Sequence, residues 1–587
     1  MKKLLGVVLV LASMVSAATY SWNTVAIGGG GFVSGIITSP TEKNLIYART
    51  DVGGAYRWNE AGQSWTPLLD WLPIEDLGLL AVEALATDPI KPQNLYMLLG
   101  ISYFSNGKTV VARSRDYGAT FQYTEVTSKF TANGNGSNRH TGERLAIDPN
   151  SSNILFCGSR ANGLFKSLDS GVTWNAVSSF PVTTTTNGNG INFVIFDKSS
   201  GTSGNATPNI YVGVQRTGAS NFYVSKDGGS TWNPVASAPT TYMPERAVLT
   251  AAGKFYITYG DADNGLGSVN LYDSKLSSNA WKEITPLSGH AYGGVTVDAQ
   301  NPSRVMVSTF STWMSQPWDY GDRMFLSTDA GTTWSDLFGA NKITMDANGF
   351  PWIANHAVHW AGSLEIDPFN SDRAFVTSGN GLFSTSNLSA SVSSWKFQVK
   401  GIEEVVPSNF ISLPGGSFYS VIGDYDGFIH SNVAVVPQST HTPAIGSTQG
   451  LAFAWNKPTR LARSATNAMY WSDNSGSSWT QITPPNGNAT SGLAYSADGA
   501  SLLWADKDSL LYRSSNNGSS WTQSTALGFN SLPIPDAVNP ARFYVYNPAS
   551  GKFFASADSG KTFTQKTSPG TWGSGRVRAV PGYEADL

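Results

Sequence analysis

Two aspartates hold the residue types and surroundings that carboxyl chemistry asks for. Asp51 lies in Arg49-Thr50-Asp51-Val52-Gly53-Gly54-Ala55-Tyr56, and Asp424 in Gly423-Asp424-Tyr425-Asp426-Gly427-Phe428. Each follows an apolar run, and each is followed by glycine and an aromatic ring. Two carboxyls across a cleft are the minimal equipment for cleaving a glycosidic bond: one protonates the leaving oxygen, and the other, ionised, activates water or attacks. An Asp-Gly step is also an ordinary turn, so the pair is a candidate only if the fold brings its members together. Asp426, two residues from Asp424, is a second carboxyl in the same turn.

Other chemistries find little support. The six His are scattered, and His356 and His359 have no Cys or acidic partner at metal-ligand spacing, so neither a metal nor a cofactor is expected. The run Gly28-Gly29-Gly30-Gly31 is followed by no Lys-Ser/Thr and no helix pattern, which excludes a phosphate loop. It reads as a flexible entry to the first repeat. Charged residues are 13% of the chain and the net charge is -3, which offers no basic face to nucleic acid. The aromatic share of 12% suits a surface that grips sugar faces by stacking. Trp313 and Trp318, in an insertion ahead of a repeated turn, and Trp360 are the candidate platforms.

The elements that would position these residues are repeats. The unit Ser-x-Asp-x-Gly-x-Thr-Trp recurs at residues 167–174, 225–232 and 327–334. Variants stand at 114–121 and 556–563, and Asn replaces Asp at 472–479 and 514–521. An Asp that accepts hydrogen bonds from its own turn, a left-handed Gly and a Trp packed beneath make a hairpin. One carboxylate per turn is too few ligands for calcium. A second element, as in Thr87-Asp88-Pro89 and Ile147-Asp148-Pro149, precedes each box. About four short strands in some 50 residues is a propeller blade. The expectation is an all-β chain of two tandem β-propellers: a seven-bladed ring over residues 18–400, and about four blades over 401–587, an incomplete second ring.

Residues 1–17 read as a signal peptide, with Lys2 and Lys3, an apolar run over 4–15 and a small-residue end at Val15-Ser16-Ala17. No apolar run is long enough to span a bilayer, so a secreted, extracellular protein with no membrane partner is expected, working as a monomer. The single Cys157 sits in an apolar run and allows no internal disulfide. Glycosylation sequons fall at Asn135, Asn150, Asn205, Asn387, Asn488 and Asn517.

Several runs together resemble glycoside hydrolase family 74. They are residues 47–58, 84–89, 143–150, 292–295, 364–369, Gly401-Ile402-Glu403-Glu404 and Gly423-Asp424, in order along the chain. The resemblance implies a secreted, inverting endo-β-1,4-glucanase that degrades xyloglucan or a related β-glucan of the plant cell wall. It implies Asp51 as general base and Asp424 as general acid, with Asp426 where the family's motif has Gly. The box alone occurs also in sialidases and sorting receptors. A sialidase start of the Phe-Arg-Ile-Pro kind is absent from the sequence, as are the cysteine-rich module and anchor of a sorting receptor. A non-catalytic carbohydrate-binding propeller is the alternative reading.

Overall fold

The computed structural model describes residues 23–261, 264–339, 342–465, 468–485, 492–506, 510–529, 532–571 and 576–587. The signal-peptide reading of residues 1–17 and the sequon at Asn488 lie outside the described residues.

The chain folds into successive small antiparallel sheets, nearly all four-stranded, with strands paired in sequence order. Among the described residues, seven such sheets and one two-stranded hairpin run from Val33 to Phe397, and four sheets from Pro407 to Lys566. Burial falls from the first strand of a sheet to the last. Val82–Thr87 and Ile191–Phe196 are buried along most of their length, whereas the outer strands Asn175–Ala176 and Asn233–Pro234 are exposed. That gradient is what sheets arranged radially require, with β-branched and aromatic residues facing both neighbouring sheets. The first ring closes on itself. Ser363 Oγ accepts a hydrogen bond from Ile36 N at 3.3 Å, and Gln398 O accepts one from Trp65 Nε1 at 2.7 Å. The seventh sheet gains an extra outer strand, Ile343–Asp346, parallel to Ser393–Phe397.

The repeated boxes are hairpin turns held by their own side chains. In one, Asp227 Oδ1 accepts from Thr231 N at 2.8 Å and Oδ2 from Thr231 Oγ1 at 2.6 Å, while Ser225 Oγ accepts from Gly229 N at 2.8 Å. Asn474 does the same work: its Oδ1 accepts from Ser478 N at 2.9 Å, and its Nδ2 donates to Ser478 Oγ at 2.8 Å. An amide can take the place of the carboxylate because the job is turn closure. The Asp-Pro elements are Asx turns of the same kind, with Asp88 Oδ1 accepting from Ile90 N and Lys91 N. Cys157 is buried in Leu155–Gly158, where desolvation pushes its thiol up to about 12. Asn150 is also buried, and its Nδ2 is bonded to Lys198 O and Thr207 Oγ1, so that sequon presents no free acceptor.

The middle of the first ring is polar. Arg49 pairs with Glu143 at 2.9 Å, and Arg144 and Arg160 with Glu83 at 3.1 and 2.9 Å, while burial pushes His140 and Glu245, 3.2 Å apart, toward their neutral forms. Buried pairs of this sort return little net stability, but they fix geometry. Arg49 also donates to the carbonyls of Arg139 and Thr141, and so locks the segment that carries Arg139.

One sequence expectation is overturned at the join between the two sets of sheets. The run Gly28-Gly29-Gly30-Gly31 is a close-packed rung and no flexible entry. A Cβ on Gly28 would lie 2.1 Å from the Phe350 ring, and one on Gly31 2.4 Å from Glu404 Cγ. Gly28, Gly29 and Gly30 also have φ near +80° (+81°, +73° and +81°), a region open to glycine at little cost. Gly29 N donates to Ile402 O at 2.8 Å, and the Glu403 carboxylate accepts from Ile27 N and Gly28 N. Bulk is excluded here because the two sets of sheets meet backbone to backbone. An apolar core continues across the join, from Trp352 and Phe397 to Phe428. Among the described residues, no helix is long and apolar enough to cross a membrane.

Candidate active site

A cleft of about 630 Å³ lies along this join. Its first wall comes from the seven-sheet ring and holds Asp51, Arg139, Trp313, His359, Trp360 and Asn380. The second comes from the later sheets and holds Asp424, Tyr425, Asp426 and Ser447. Glu404, in the connecting segment, lies at its floor. The structure thus brings together Asp51, Asp424, Trp313 and Trp360, which lie up to hundreds of residues apart. Another cavity, of about 500 Å³, sits among the later sheets, but Arg576 and Arg578 line it and no carboxylate does.

Asp51 occupies the tight turn between Ile46–Thr50 and Ala55–Asn59. Thr50 closes that turn, its N and Oγ1 both donating to Gly54 O and its Oγ1 accepting from Gly53 N. The Asp51 side chain is buried and its Oδ2 meets Arg139 Nε at 2.6 Å. Arg139 in turn lies over the rings of Phe32 and Trp360, at 5.2 and 5.5 Å from their centroids. Burial raises the Asp51 carboxyl above its usual range, and the Arg139 guanidinium opposes the rise. Its carboxyl neighbour Glu404 is fully buried and is pushed well up, first by desolvation and then by the Asp51 charge. Of the two carboxyls, Asp51 is the one beside a cation, which favours its ionised form.

Asp424 is placed differently. It is solvent-exposed, with φ +62°, and its N donates to Ser447 Oγ at 2.9 Å. A non-glycine residue in the left-handed region costs energy and is often found where a side chain has to be aimed. The next residue, Tyr425, anchors the turn by packing edge-on to Trp352 at 5.3 Å and donating to Asn380 Oδ1. Asp426 is engaged by partners in the fold. It is buried, paired with Arg463 at 2.8 Å, and accepts from Ile445 N at 2.7 Å. These partners occupy Asp426 in holding the fold, whereas Asp424 is the exposed carboxyl on that wall of the cleft.

Trp313 is 61% exposed and stacks on His359, with centroids 5.5 Å apart and planes at 28°. It rides on a small hairpin, Met314–Ser315 with Tyr320–Gly321. The buried Asp322 pins that hairpin, accepting from Thr312 N at 2.9 Å and Ala361 N at 2.9 Å. One carboxyl thereby fixes both Trp313 and the segment bearing Trp360. Desolvation raises Asp322 to about 7. Trp318 turns away from the cleft. It is half-buried against the apolar core, edge-on to Phe338 at 5.9 Å, because its hairpin folds back over the sixth and seventh sheets.

Sequence reasoning did not single out Arg139, His359, Asn380, Tyr425 or Glu404 as site residues. None of them has a local spacing that marks it, although Glu404 and Tyr425 lie in runs that carry the family resemblance. Asn135, also in the cleft, donates to Tyr103 OH at 2.7 Å, and Tyr103 with Phe104 forms an exposed aromatic pair just beyond. Among the described residues, no group of three or more His, Cys, Asp or Glu is arranged to hold a metal ion.

No family model matches the chain. Individual relatives do. A xyloglucanase of Acetivibrio thermocellus is 36% identical over 98% of this chain and 73% of its own length. A solved GH74 enzyme of Niastella koreensis is 45% identical and superposes with a TM-score of 0.90, covering 95% of this chain and 82% of that one. The GH74 xyloglucanase of Xanthomonas campestris, at 34% identity, gives 0.86 over 93% and 81%. A chain of tandem propellers with relatives of this identity and coverage is a glycoside hydrolase. Within that class, the chain belongs to glycoside hydrolase family 74.

Proposed function

We propose that this protein is an exported endo-acting xyloglucanase that cleaves the β-1,4-glucan backbone with inversion, using Asp51 as general base and Asp424 as general acid. The observation that carries the reading is the shared cleft. A buried carboxyl braced by Arg139 stands on one wall, and an exposed carboxyl on a left-handed turn stands on the other. Water held against Asp51 loses its proton to that carboxylate as its oxygen bonds to the anomeric carbon. The bond from that carbon to the glycosidic oxygen breaks, and the oxygen takes the proton of Asp424. Solvent then returns both groups to their starting states. Flat aromatic faces at Trp313 and Trp360, with a near-neutral overall charge, suit a neutral, branched polymer.

The domains we assign are 18–400 and 401–587, each supplying one carboxyl, and the chain acts as a monomer. The charged, apolar and small-residue pattern of residues 1–17 supports export. Purified protein should release reducing ends from xyloglucan as oligosaccharides, and little from unsubstituted cellulose. Equal turnover of the two, or capture of xyloglucan without new reducing ends, would overturn the reading.

The tryptophans separate in the same assay. Trp313→Ala should raise KM about two- to twelvefold at nearly constant kcat, the loss of one stacking face being worth about 0.5–1.5 kcal/mol. Trp318→Ala should leave KM alone and lower the melting temperature. The opposite pattern would reverse the roles of the two residues.

A further inference from the structure

Glu404 is 2% exposed and sits where the two domains meet. Its Oε1 accepts from Val52 N at 3.2 Å and Gly53 N at 3.1 Å, the two amides that follow Asp51. The fit is close: a Cβ on Gly53 would fall 1.7 Å from Glu404 Oε2, and one on Gly31 would meet its Cγ. Oε2 is buried and has no hydrogen-bond partner among the described residues, and the side chains that face the Glu404 carboxyl are the Asp51 carboxyl and the Thr50 hydroxyl. Two carboxyls can share a hydrogen bond only if one carries a proton. Arg139 engages Asp51, and among the described residues no cation is paired with Glu404, so a proton shared between the two carboxyls is favoured on Glu404.

We propose that Glu404 is a positioning residue for the base: Oε1 pins the turn that carries Asp51, and the protonated Oε2 donates to the Asp51 carboxylate, so that the connecting segment completes a base borne by the first domain. This rests on the reading of Asp51 as base. Only when the two domains are docked is that carboxylate both oriented and kept ionised. The other groups facing the pair are Arg139, Tyr56 and Glu403, with Asp424 and Asp426 across the cleft. Burial raises Glu403 to about 7, but its carboxylate is spent on Ile27 N and Gly28 N. The nearest candidate for the proton is therefore Glu404 itself.

The test uses the full chain, with Glu404→Gln and Glu404→Leu. Glutamine keeps an acceptor for the two amides and a donor for Asp51. It should hold kcat within about threefold and leave the acid limb of the pH profile where it is. Leucine removes the donor. At an unchanged KM it should lower kcat about tenfold or more and move the acid limb up by about one to two pH units, because the Asp51 anion loses a hydrogen bond. Infrared difference spectra at neutral pH provide a readout independent of turnover: a protonated-carboxyl band in the wild type that Glu404→Gln lacks. An acid limb that drops in Glu404→Gln, or wild-type kinetics in Glu404→Leu, would overturn the proposal. The same holds if no protonated-carboxyl band is lost between the wild type and Glu404→Gln. A wild type that shows the band but does not cut xyloglucan would overturn the substrate reading and not the hydrogen bond.

Discussion

Asp51→Asn should give a folded protein whose kcat on xyloglucan is lower by about 10²–10⁴, the usual contribution of a positioned general base. The change is isosteric, so the turn closed by Thr50 and Gly54 keeps its hydrogen bonds. What disappears is the basicity. An amide cannot take the proton of the attacking water, and Arg139, braced on Phe32 and Trp360, is left with no anion beside it. KM should change little, because the sugar faces are met by other residues. The loss should persist for substrates with any leaving group, since each still needs an activated water. Rates within tenfold of the wild type, in a protein with an unchanged melting temperature, would remove Asp51 from the mechanism.

Asp424→Asn should match that loss on xyloglucan but not on an activated aryl β-glycoside of a xyloglucan oligosaccharide. A sugar hydroxyl leaves poorly without a proton, so its departure depends on the acid, with about 10²–10⁴ at stake. A nitrophenolate leaves unaided, and the variant should then recover most of its rate. This contrast between substrates separates acid from base, which equal losses on the polymer cannot do. It also separates Asp424 from Asp426. Asp426 is held by Arg463, Ile445 N and Gly446 N, so removing its charge leaves a buried guanidinium unpaired. The first symptom there should be a lower melting temperature on every substrate alike. An Asp424→Asn enzyme that is equally impaired on both substrate types would mean that Asp424 is not the proton donor.

The parts of this molecule that sequence makes legible are those that local contacts build. A box such as residues 225–232 closes through hydrogen bonds spanning four residues, so its spacing is written directly in the chain, and the propeller follows from its repetition. Asp51 and Asp424 stood out for a related reason: each lies in a glycine-flanked turn outside the repeated box. The remainder of the site is made by distance. Arg139 reaches Asp51 across 88 positions and Glu404 meets Gly53 across 351, and no spacing rule survives such a loop. Trp318 and Trp313 look alike in sequence, and only the fold of their hairpin sends one to the core and the other to the cleft. The glycine run 28–31 has the composition of a flexible segment. Its conformation is set instead by Phe350, Asn380, Val405 and Glu404, all more than 300 residues further on.

The central claim is that two carboxyls on opposite domains act on opposite faces of one sugar. The anomer released first tests it most directly. Proton NMR during the first minutes of xyloglucan hydrolysis, before mutarotation, should show the α-anomer growing ahead of the β-anomer, as attack by water on the face opposite the leaving group requires. If the β-anomer appears first, the bond is cleaved with retention through a covalent intermediate, and Asp51 is no general base to water.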